Sequence, residues 1–253
     1  MMPGLSPDTF SHPHVFRLKP TATRAPAAFP LGLGQYGVHE LCEDSFGDMA
    51  ALTGFALAAS RPCKGMIVWV RQQALAHDHG HVLAAGMQAL APQTPPILNI
   101  TTRKTTDTLW ATEEAIRAQA TGLVIAELQT ADFTASRRLT LASSRHGVPL
   151  ILLMPYTRQG STASAARWRI ASRPSAPNRY DPHAPGHTRW HAALERCRRA
   201  PHMTGHSFNL ELDNETLSLR VVTGLAANPV EADLAGPQNR PHAHKQYTGR
   251  QIA

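Results

Sequence analysis

Largely apolar runs of four or five residues recur through the middle of this chain, at positions 38–41, 66–70, 97–100, 123–126 and 150–154. Such short runs predict strands buried on both faces. Helical patterns lie between them. One covers 48–59 and is rich in Ala and Leu, and a weaker one covers 82–90. A third, over 107–120, puts Leu109, Ile116 and Ala120 near one face, with Thr105 or Thr106 placed to cap it. A fourth, over 134–146, opens near Asp132 or Thr134 and stops before Gly147, with Pro149 beyond. Repeated strand–helix units predict an α/β fold: a mostly parallel sheet flanked by helices. In such sheets ligands sit at the carboxyl ends of the strands.

Proline divides the chain. Residues 1–30 carry Pro3, Pro7, Pro13, Pro20, Pro26 and Pro30 without sustained periodicity, and read as a flexible arm. Residues 31–172 form the patterned core. Residues 173–187, with Pro174, Pro177, Pro182 and Pro185, read as a linker. Two or three short strands are expected over 188–227, and 228–253 reads as a flexible tail poor in large apolar residues.

At 253 residues, 42% of them hydrophobic, the chain suits one globular domain with tails. No run approaches the roughly 18 apolar residues of a membrane span. The start, Met-Met-Pro-Gly, leads into polar sequence, so no secretory signal is expected. Cys42, Cys63 and Cys197 are odd in number and far apart, which fits a reducing cytoplasm rather than a disulfide framework or zinc knuckle. A net charge of +7 is compatible with nucleic acid or an acidic protein partner. The basic residues are scattered, however, and a solvated basic surface explains them equally.

The most informative local feature spans 37–52. An apolar strand runs into a small polar loop, and a helix opens near Asp48. That is the layout of a phosphate-binding loop, G-x-x-x-x-G-K-[ST], whose backbone N–H groups cradle phosphates while Lys and a hydroxyl serve the γ-phosphate and Mg²⁺. Here Cys42 stands at the first Gly, Gly47 survives, Asp48 replaces the Lys and Met49 the hydroxyl. An Asp there repels a triphosphate. The competing interpretation is an ordinary strand–loop–helix turn. The segment His77-Asp78-His79-Gly80-His81 invites a metal reading, but no carboxylate or Cys pair with matching spacing accompanies it, so an exposed loop and no metal are expected.

The order and spacing of these pieces resemble the RecA-like fold. Gly37-Val38-His39-Glu40-Leu41 resembles the lead-in to the first core strand of recombinases, Val68 to Leu75 the second strand and its end, and Gly122 to Glu127 the Walker B strand. More closely, the chain resembles the ImuA family, RecA/SulA-related accessory proteins of bacterial inducible-mutagenesis cassettes. The blocks that carry this are Val38-His39-Glu40-Leu41, then Thr106 to Ala115, Asp132 to Leu139, and Ala165 to Ile170. The resemblance spans roughly 31–222.

It implies several expectations. The glutamate that activates water in RecA-like ATPases has its counterpart at Gln72, which cannot act as that base, and Glu127 takes the Walker B place or serves as a strand-end contact. With the loop Lys and hydroxyl also gone, no ATPase activity and no cofactor are expected. The recombinases carry a DNA-binding loop beside the position of Met154. Here the corresponding region offers Arg158, Arg167, Trp168 and Arg169, either as stacking and phosphate contacts or as a core Trp with outward Arg. Arg137 and Arg138 are candidate partner contacts. The implied function is a non-catalytic adaptor in SOS-induced, error-prone translesion DNA synthesis after DNA damage. Its partners would be a polymerase-like protein of the same cassette and an error-prone replicative polymerase, with the RecA recombinase as a further contact; DNA contact would be weak or indirect. The alternative is a SulA-like inhibitor of cell division.

Overall fold

The computed structural model describes residues 27–29, 31–33, 37–60, 64–90, 95–178, 180–181 and 183–222. Most of the expected N-terminal arm, the whole C-terminal tail and Cys63 lie outside the described residues. In chain order the elements are β1 (Ala27–Ala28), β2 (Val38–Glu43), α1 (Met49–Ala59), β3 (Met66–Gln72), α2 (Gln73–His79), α3 (Ala84–Leu90), β4 (Ile97–Thr102), α4 (Thr105–Arg117), β5 (Thr121–Glu127), α5 (Phe133–His146), β6 (Leu150–Met154), β7 (Ala166–Arg173), β8 (Arg189–Cys197), β9 (Ser207–Leu212) and β10 (Leu219–Val221).

These strands make one sheet in the order β1-β10-β9-β8-β7-β2-β6-β5-β3-β4. The block from β7 through β4 is parallel. From β7 outward to β1 every pairing is antiparallel. The strands on either side of 173–187 therefore belong to one sheet, and β7 pairs with β8 along its whole length.

Period-two alternation splits the core in two. Leu41, Ile67, Trp69, Leu123, Ile125, Ile151 and Leu153 face α1, in a cluster that continues under the antiparallel strands to Trp168 and Trp190. Val38, Val68, Val70, Val124, Leu150 and Leu152 face the other way, against Ala111, Ala115 and Ile116 of α4 and Leu139 of α5. Helix α1 is apolar nearly all round and correspondingly buried.

The predicted strands are present, with one correction. β4 is the edge strand, and Leu98 is 48% exposed, so this run is not buried on both faces. Two helix boundaries differ as well. α4 starts at Thr105 with Lys104 at the N-cap and no side-chain cap, and it ends at Arg117, short of Ala120. His77 to His79 fall on α2 rather than in a loop. α5 follows its sequence signals: Asp132 accepts a hydrogen bond from the Ala135 N–H at 2.6 Å, and Gly147 closes the helix at φ 69°, a left-handed conformation that glycine adopts without strain.

Candidate functional site

The loop from β2 to α1 lies at a carboxyl end of the parallel block, where sheets of this kind place ligands. It turns at Gly47, φ 101°, where a side chain would be strained. Its polar groups are turned on one another. Asp48 Oδ1 accepts from the Ser172 N–H at 2.9 Å and the Ser172 hydroxyl at 2.8 Å. Oδ2 accepts from the Ser45 hydroxyl at 2.9 Å and the Ser45 N–H at 3.2 Å. Burial pushes the Asp48 carboxyl up, but these bonds from Ser172 and Ser45 outweigh it and hold the group below its ordinary value. Asp48 thus fastens the loop to β7.

Glu43 completes the closure. It is buried, and its Oε2 accepts the Tyr156 N–H at 3.2 Å, while Oε1 has no hydrogen-bond partner among the described residues. Burial raises the Glu43 pKa, against the Tyr156 N–H and His79, whose Nδ1 lies 4.0 Å from Oε1. The Cys42 thiol, beside it in β2, is pushed up to about 12 by burial, with the Glu40 charge adding.

Gln72 and Glu127 are also committed. Gln72 donates to the Thr105 hydroxyl and accepts the Gln129 N–H, both at 3.2 Å, tying the end of β3 to α4 and to the segment after β5. Glu127 is buried and accepts from Trp69 Nε1 at 2.7 Å and Arg71 Nη2 at 2.6 Å. Met49, Arg71, His79 and Glu127 share one cavity of about 240 Å³, which is below the roughly 300–1,000 Å³ of small-molecule sites. Gln72 does not line it. Among the described residues no group of three or more His, Cys, Asp or Glu side chains is arranged to hold a metal.

The arginines after β6 serve a centre that sequence reasoning missed. Glu40, fully buried in β2, accepts from Arg158 Nε at 2.9 Å, Thr162 at 2.5 Å and Ser164 at 3.1 Å, with Arg167 Nε at 3.2 Å. A charge in the middle of a buried strand demands partners; that was the available signal. Arg169 pairs with Glu195 at 2.8 Å and donates to the Glu43 and Tyr156 carbonyls. Trp168 is 1% exposed and packs near Phe29, Phe55 and Phe208, so it has no face to offer a base. Of the arginines put forward as contacts, Arg137 and Arg138 stand exposed on α5, and Arg138 pairs with Glu113 of α4.

No family model matches the chain. It is 34% identical over 144 residues to Protein ImuA of Caulobacter vibrioides strain NA1000 / CB15N, covering 53% of this chain and 56% of that protein. The same figures hold for Protein ImuA of strain ATCC 19089 / CIP 103742 / CB 15. The match supports an ImuA family assignment. The chain spans about half the length of the curated ImuA proteins it matches. No helix among the described residues is long and apolar enough to cross a membrane.

Proposed function

We propose that this chain is a non-catalytic RecA-like adaptor in SOS-induced, error-prone translesion DNA synthesis, acting in the cytoplasm. The observation that supports it most is the self-occupied loop. Asp48 accepts from both the N–H and the hydroxyl of Ser45 and of Ser172, and Glu43 accepts the Tyr156 N–H. A nucleotide triphosphate brought there meets two buried carboxylates and no lysine, and the Ser45 and Ser172 hydroxyls already donate to Asp48. Gln72 and Glu127 are engaged in holding strand ends together, which supports a structural rather than a catalytic role for both. A protein with this surface and no nucleotide switch acts through fixed contacts. The ImuA resemblance supports a setting in a mutagenesis cassette, and within it the proposed partners are a polymerase-like cassette protein and an error-prone replicative polymerase, with the RecA recombinase a further contact.

Deleting the gene tests this. Growth without damage should be normal, and ultraviolet-induced mutation frequency should fall. Unchanged mutagenesis in the deletion, with filamentous division arrest on overexpression, would overturn the adaptor in favour of a SulA-like division inhibitor.

A further inference from the structure

The outer surface of α4 and α5 is unlike the rest of the helical shell. Trp110 is 64% exposed, Leu141 60% and Phe133 45%. Single exposed apolar residues are ordinary; three on one pair of packed helices are not. The Glu113–Arg138 bond at 2.5 Å holds the two helices side by side, and Trp110 lies one turn before Glu113 on the outer side of α4. On α5, Phe133, Arg137, Leu141 and Arg145 recur every four residues, and all four are exposed. Between the amino ends of the helices lies a cleft of about 450 Å³, walled in part by Leu109, Ala131 and Ala135.

The charge along α5 is basic, with the acids Asp107 and Asp132 confined to the amino ends of the two helices. α5 carries Arg137, Arg138, Arg145 and His146 and no acidic residue. Of the acids of α4, Glu113 is paired with Arg117 and Arg138 and Glu114 with Arg117, while Asp107 in the first turn accepts, among the described residues, only from the Thr106 hydroxyl. Arg137 and Arg145 have no partner among the described residues. They lie eight residues apart, about 12 Å along the helix, with Leu141 midway. Trp and Arg are enriched among the residues that dominate protein-binding interfaces. A phosphate backbone has no use for the aliphatic centre.

We infer that the α4–α5 face docks an acidic segment of a protein partner, setting its carboxylates on Arg137 and Arg145 and its apolar side chains on Leu141, Trp110 and the cleft beside Leu109. This deepens the adaptor reading and rests on it for its cellular meaning.

The test uses the full chain and a synthetic helical peptide bearing Glu and Asp on one edge and Leu and Phe at four-residue spacing. Three controls accompany it: the same peptide with its apolar residues changed to Ser, a 20-nucleotide single-stranded DNA, and the protein alone by sedimentation. The peptide should bind, protect α4 and α5 amides from hydrogen exchange, and lose at least tenfold in affinity with R137E/R145E and, separately, with L141S. The Ser peptide should not bind. Retained melting temperature in each variant shows that the fold is intact. Failure to bind, binding insensitive to both variants, tighter binding of the DNA to this face, or self-association abolished by L141S would each overturn the proposal. In cells, a deletion that lowers mutagenesis while the two variants rescue it fully sinks the surface alone. A deletion without effect, with the peptide still bound on this face, sinks the adaptor reading alone.

Discussion

Single residues decide the chemistry of the β2–α1 loop. At neutral pH, ATP–Mg²⁺ should show no calorimetric binding at cellular concentration, because the Asp48 carboxylate at the turn into α1 repels a triphosphate. Asp48→Lys alone should not create turnover; micromolar affinity with turnover abolished by an Asp48 change would refute this. Asp48 also sets an acid limit on stability. Its folded pKa is lowered, so the stability it contributes is present above the ordinary carboxyl value and is lost as pH falls through the folded one. Glu43 runs the other way: its folded pKa is raised, and its charge counts against the fold until pH drops. Asp48→Asn turns an amide toward the Ser45 donors and should cost about 1–3 kcal/mol at pH 7. The gap should narrow near pH 3. Urea denaturation at both values measures it, and an equal gap would mean the charge is irrelevant. The odd residue types at 48, 49 and 72 were legible in the sequence. Their partners were not, because Ser172 lies 124 positions from Asp48 and Gln129 lies 57 from Gln72. Glu40 hid for the same reason, as one acid in an apolar strand whose partners start 118 residues away.

Elements with strong local signals were read well, and those set by neighbours were not. α5 declares itself through Asp132 and Gly147. The end of α4 does not, since no glycine or proline follows Arg117 directly. β4 has the same apolar pattern as the interior strands, and only the strand order reveals that it lies at the edge. That position has a dynamic consequence. Local opening needs little when one side of a strand is unpaired. Amides of Ile97–Thr102 should exchange at least about tenfold faster than those of Leu150–Met154, which pair on both sides. Equal protection under native-state exchange would show that β4 is covered by something else.

At the scale of the molecule, the sequence implied the parallel block, because strand–helix alternation leaves few other architectures. It did not imply that the strands after 187 extend that sheet, since antiparallel pairing across a Pro-rich stretch leaves no periodic trace. The extended sheet ends where β1 meets β10, with Ala27 opposite Val221 and Ala28 opposite Arg220. Read as mechanics, that pairing is a fuse. Tension applied at residues 27 and 221 pulls two facing ends apart across the ladder, so its bonds break in turn rather than together. The antiparallel strands would peel from the free edge inward, and the parallel block that holds the loop would carry load last.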